Sequence, residues 1–200
     1  MITAELFFGL ITYYFIMFMT PGPNNAMLAI SGIKFGFKQT IPHMTGIPIG
    51  HSFQIIAACL GLGTFFQKFP EIQYILKFIG CGYLFFLAYK MFGSFNFKVQ
   101  DDTKGRPMKI YEAIIFQFLN PKAWIVALTV VTVFFPNEEN FIKATLFVSL
   151  SAPLICFFSV ITWAGFGSSI NIFISNNKIK KFIEILMALL LIVTAIFILI

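Results

Sequence analysis

Two stretches of this sequence carry residues suited to holding a charged or zwitterionic ligand. The first is Thr20-Pro21-Gly22-Pro23-Asn24-Asn25, and the second, about one hundred residues later, is Asn120-Pro121-Lys122-Ala123-Trp124. Pro21 and Pro23 fix φ and lack an N–H donor, while Gly22 leaves the backbone between them permissive. A helix restarting at Asn24-Asn25 points free N–H groups and the positive end of its dipole into the break. That end suits an anion such as a carboxylate. Asn24 and Asn25 add neutral donors and acceptors, and Asn24 can also cap the restarted helix. In the second stretch, Asn120 and the carbonyls freed before Pro121 can meet an ammonium. Lys122 supplies a cation, either for a ligand carboxylate or for Asn120 and freed backbone carbonyls, where it would tether the broken helix.

Both stretches interrupt runs that are otherwise long and apolar. The chain has 200 residues, 58% of them hydrophobic and 11% charged, including 28 Phe. A soluble domain carries roughly 25% charged residues, and mean hydropathy here is +0.88. The solvent for so much apolar surface must be lipid. A span needs roughly 20 mostly apolar residues, and six are expected: Glu5–Ser31, Thr40–Phe66, Ile72–Phe92, Tyr111–Phe135, Phe141–Gly167 and Phe182–Ile200. The first and fourth are broken at their proline motifs. Broken backbone in a bilayer is tolerated only where protein or a water-filled cavity covers it. A lysine near the bilayer centre costs roughly 2.5–3.5 kcal/mol, which marks Lys122 as functional.

The +6 net charge sets orientation rather than pointing to nucleic acid. Lys34, Lys38, Lys98, Lys104, Arg106, Lys109, Lys178, Lys180 and Lys181 fall in the odd-numbered loops, against Lys68 and Lys143 in the even ones. The positive-inside rule makes the odd loops cytoplasmic and both termini external. The expected fold is thus an all-α integral membrane protein in one transmembrane domain, residues 1–200. It divides into repeat 1 (about 1–92), a cytoplasmic linker (about 93–110) and repeat 2 (about 111–200). With three spans each, the halves have opposite orientation, as in inverted-repeat transporters. Pro21 and Pro121 each lie about a dozen residues from the cytoplasmic charges, so at about 1.5 Å per residue both breaks fall near the midplane.

Other residues are less specific. His51 in span two is a candidate proton relay, as is Glu112 at the start of span four, although packing and interfacial roles are open to each. His43 is expected at the cytoplasmic surface. Gly46-x-x-x-Gly50 permits close helix contact, and Ser149, Ser151 and Pro153 hold a comparable place in span five. Cys59, Cys81 and Cys156 are scattered in apolar runs and read as small buried hydrophobes. No P-loop, H-E-x-x-H, G-x-S-x-G or catalytic paired-carboxylate constellation occurs, so neither an enzyme nor ATP drive is expected. No metal or cofactor is expected either. The N-terminus lacks a positive n-region, so the first run is expected to be retained.

At these motifs the chain resembles the LysE/RhtB family of amino-acid exporters. Gly32-x-x-x-Gly36-Phe37, Gly46 with Gly50, and Gly80-x-Gly82-Tyr83-Leu84 extend the likeness over essentially the whole sequence. The doubled Asn24-Asn25 looks most like the branch exporting cysteine and O-acetylserine. The resemblance implies ion-gradient-driven export from the bacterial cytoplasm through a multi-pass protein of the inner membrane. Site residues are then expected at Pro21, Gly22, Pro23, Asn24, Asn25, Asn120, Pro121 and Lys122. No span places an acid near the midplane, which favours a small neutral amino acid or derivative, exported with proton coupling. Export of basic amino acids and a thiol-redox conduit are the alternatives. The expected partners are the substrate, protons or another coupling ion, and the bilayer; a homo-oligomer is left open.

Overall fold

A computed structural model describes residues 2–62, 65, 68–91, 106–136, 140–173 and 177–199. Most of the expected linker lies outside these residues. The described elements are α1 (Ala4–Met19), α2 (Pro23–Ala57) with a π-helical turn after it (Ala58–Leu62), α3 (Pro70–Met91), α4 (Ile110–Leu119), α5 (Pro121–Val133), α6 (Phe141–Phe173) and α7 (Asn177–Leu199). No strand occurs among the described residues. The regions Pro23–Gly61, Phe141–Ile170 and Lys181–Leu199 are long and apolar enough to cross a membrane. The pair α4 and α5, bent by 73° at Asn120, passes the same test together. Ala4–Met19 and Lys77–Phe86 are apolar but shorter.

Proline chemistry sets both breaks. A residue before proline is pushed out of the helical region. Thr20 before Pro21 has φ −65° and ψ 143°, Gly22 before Pro23 is fully extended, and Asn120 before Pro121 has φ −87° and ψ 110°. Each helix then restarts with proline in its first turn, where the missing N–H costs nothing.

Within α2 the path turns at Gly36, whose φ of 79° and ψ of 169° are open essentially to glycine alone. Ser31 and Thr40 hydroxyls meet across this turn at 2.9 Å. Nine residues of straight helix would hold them about 13 Å apart. The chain therefore folds back between Lys34 and Lys38, where the first loop is expected.

The cross-contacts give the helix directions. Tyr14 donates to the Val148 carbonyl, Ser159 to that of Phe18 and Trp163 to that of Met19, so α1 and α6 run parallel. Past Gly36, Ser52 donates to the Ser149 carbonyl, and this part of α2 runs back along α6. That bond also repairs a defect, because Pro153 cannot donate to the carbonyl four residues before it. Lys77 and Cys81 reach the carbonyls of Leu199 and Ala195, which sets α3 antiparallel to α7.

Glycines make the closest crossings possible. A Cβ on Gly46 would strike the Ile110 carbonyl and Ala113, and one on Gly50 would strike Gln117 and Ile114, so the Gly46/Gly50 face is the seat of α4. Gly32 and Gly167 bring α2 and α6 into backbone contact in the same way. The ring of Pro121 sits on Gly80 of α3. Large apolar side chains such as Phe8, Leu154, Phe158 and Phe197 point away from the packed interior, as a lipid-facing surface requires.

His43 departs from expectation. It is 1% exposed, with neither ring nitrogen partnered among the described residues, rather than lying at the surface. The turn at Gly36 carries the following helix straight into the packed interior.

Candidate functional site

The end of α1 at Pro21 frees backbone carbonyls that an apolar surrounding would leave costly. Every carbonyl from Phe18 to Pro21 is captured by a side chain. Phe18 accepts from Asn25 Nδ2 at 2.7 Å and from Ser159 Oγ at 2.7 Å. Met19 accepts from the Trp163 indole at 3.3 Å. Thr20 accepts from Asn25 Nδ2 at 2.8 Å, and Pro21 from Thr194 Oγ1 at 3.3 Å. Helices α2, α6 and α7 thus converge on one break.

Lys122 brings the second break to the first. Its ammonium donates to the Thr20 carbonyl and to Thr20 Oγ1, each at 2.8 Å, and to the Pro21 carbonyl at 3.1 Å. These three contacts match the three protons of an ammonium. A Cβ on Gly22 would fall 2.9 Å from Lys122 Cδ and 3.2 Å from Nζ, so glycine clears the path of the lysine. Asn120 serves its own helix, its Oδ1 accepting from the Lys122 backbone N–H at 3.1 Å. The tether to freed carbonyls is therefore present, and the carbonyls belong to the other break.

The two breaks face one half-open cleft, whose empty space of about 360 Å³ includes open solvent. Gly22, Pro23, Asn24, Asn25, Asn120 and Lys122 line it, together with His51, Cys156, Ser159 and an apolar wall that includes Met17, Ile47 and Val126. Pro21 and Pro121 stand behind this lining and shape it. The backbone N–H groups of Asn24 and Asn25 open α2 with no backbone partner among the described residues. Lys122 is the cation of the lining, which contains no carboxylate. His51 is 2% exposed, packs on Phe18 with ring centroids 4.9 Å apart, and its Nδ1 has no partner among the described residues. Glu112 is placed elsewhere: it caps α4 through the Lys109 N–H at 2.8 Å and pairs with Arg106.

Residues 15–200 match the family model described as LysE type translocator. The chain belongs to the LysE translocator family. The cysteine/O-acetylserine efflux protein of Escherichia coli (strain K12) is 26% identical to this chain over 163 residues, 81% of the chain and 82% of that protein. The protein of the same description from Salmonella typhimurium is 25% identical over 154 residues, 76% of the chain and 77% of its own length. No solved structure matches.

Several polar residues in and around the cleft escape a reading of motifs. Gln117, Gln54, Ser159 and Thr194 each occur singly within apolar sequence. The available signal is their cost: an amide inside a span must find a partner. Gln117 finds Asn24, 93 residues away.

Proposed function

We propose that this protein exports small neutral amino acids or close derivatives across the bacterial cytoplasmic membrane, driven by the proton gradient. The observation that carries the reading is the meeting of two proline breaks, about one hundred residues apart, in a single cleft. The N–H groups at the start of α2 suit an α-carboxylate, and its positive helix end adds to them. Lys122 is the second carboxylate contact, released from Thr20 and Pro21 when substrate enters. Asn120 and the carbonyls near it face the ammonium. His51, buried at the cleft wall, is the candidate proton carrier.

Six spans in two inverted repeats support alternating access at this site. The hydrogen bonds are consistent with such a relation. In one half, Gln54 of α2 donates to the Gln117 carbonyl just before the second break; in the other, Ser159 of α6 donates to the Phe18 carbonyl just before the first. Pro48 and Pro153 stand six residues before those two donors. In this scheme α2 beyond Gly36 and α6 are the rocking elements, kinked at these prolines, and both termini face outward.

The absence of a carboxylate in the lining favours neutral side chains over cationic ones. Cysteine and O-acetylserine, named in the descriptions of the relatives, meet that condition. Proteoliposomes loaded with labelled serine, cysteine and arginine should lose the first two and retain arginine. Loss of arginine alone would overturn the neutral assignment.

A further inference from the structure

We infer that Gln117 is a positioning residue that fixes the polarity of Asn24 toward the substrate, a role that rests on the cleft being the substrate site. Gln117 is 0% exposed on α4, one turn before Asn120. Its Nε2 donates to the Ala113 carbonyl at 2.9 Å and to Asn24 Oδ1 at 3.2 Å. Its Oε1 accepts from Asn24 Nδ2 at 2.9 Å. The Gln54 amide holds the Gln117 backbone carbonyl at 3.1 Å.

A primary amide has two nearly isosteric ends, and its partners decide which end faces where. An isolated pair of amides could turn over together and lose nothing. The Ala113 carbonyl removes that freedom, because it can only accept. It draws Nε2 of Gln117 toward itself, and a flipped Gln117 would set oxygen against oxygen. With Gln117 fixed, reciprocity fixes Asn24. Asn24 then commits one N–H and one lone pair of Oδ1 to Gln117 and keeps one of each. Asn24 borders the cleft and Gln117 does not. The retained N–H suits a carboxylate, and the retained lone pair suits an ammonium. A backbone carbonyl of α4 thereby sets donor and acceptor positions on the far wall of the substrate site.

The test is a cycle of Asn24→Ala, Gln117→Met and the double variant in proteoliposomes, reading KM and Vmax for labelled cysteine after membrane insertion is verified. Asn24→Ala should raise KM about tenfold or more, Gln117→Met should raise it comparably with Vmax changed less than about threefold, and the double variant should be no worse than Asn24→Ala. Independent, multiplying effects would make Gln117 a packing residue and overturn the proposal. An unchanged KM in Gln117→Met, with Asn24→Ala impaired, would overturn the proposal and leave the cleft assignment standing. An unchanged KM in Asn24→Ala would remove the cleft assignment itself. Should Gln117→Met fail to insert, Gln117→Glu carries the same cycle. It keeps an acceptor for Asn24 but cannot donate to Ala113 and Asn24 together, so its KM should also rise and its effect should vanish when Asn24 is alanine.

Discussion

Replacing Lys122 with methionine should reduce efflux at least a hundredfold while membrane insertion stays normal. Methionine keeps much of the stem and removes the charge, so packing against Gly22 changes little. The three donations to Thr20 and Pro21 are lost. The contact that the released ammonium makes to the substrate carboxylate is lost with them, and it is this loss that lowers efflux. A hydrogen bond from a charged group contributes roughly 1.5–3 kcal/mol, and about 1.4 kcal/mol is a factor of ten. Asn25 still reaches the Thr20 carbonyl and Thr194 that of Pro21, which is why the break should persist without its cation. Lys122→Arg should recover only part of the activity. Its planar head is larger than an ammonium, and the path beside Gly22 is tight. Efflux assays paired with a measure of inserted protein check this. Full activity in Lys122→Met would take the lysine out of the transport path.

Gly167→Ala should produce the largest loss of stability among single-methyl changes. A Cβ at Gly167 meets the backbone of Ala29, namely its carbonyl oxygen, carbonyl carbon and Cα. Backbone cannot rotate away as a side chain can. Overpacking of this kind costs about 1–3 kcal/mol, which corresponds to a fall in Tm of roughly 3–10 °C for a chain of this size. Gly165→Ala is the matched control in the same helix. Its Cβ would rest 3.8 Å from the Phe37 ring, an ordinary contact. Thermal unfolding of the two purified variants in one detergent gives the comparison. Equal midpoints would mean that α2 and α6 are not held in backbone contact.

The breaks were legible in the sequence because proline acts locally. Pro21, Pro23 and Pro121 dictate the conformation of the residues before them wherever the chain goes. The close crossing at Gly46 and Gly50 was legible for a similar reason, since a small-residue stripe on an apolar helix has few other uses. Partners across the fold were not legible. The sequence offers Lys122 a ligand carboxylate or Asn120 and freed carbonyls, without saying which carbonyls; those it meets belong to a break 101 residues earlier. Nothing in Phe116-Gln117-Phe118 indicates that its amide turns toward Asn24. His43 lies near the cytoplasmic end of span two, which suggests the surface, yet its ring is buried. Counting along the chain gives depth in the membrane, but not which face of a helix is covered by its neighbours.

The measurement that tests the central claim most directly is efflux from proteoliposomes preloaded with a mixture of labelled amino acids, with and without an imposed proton gradient. The account predicts gradient-dependent loss of one or a few small neutral amino acids, abolished in Lys122→Met. Retention of every amino acid by verified, folded protein under both conditions would contradict it, and would leave the two proline breaks as purely structural joints.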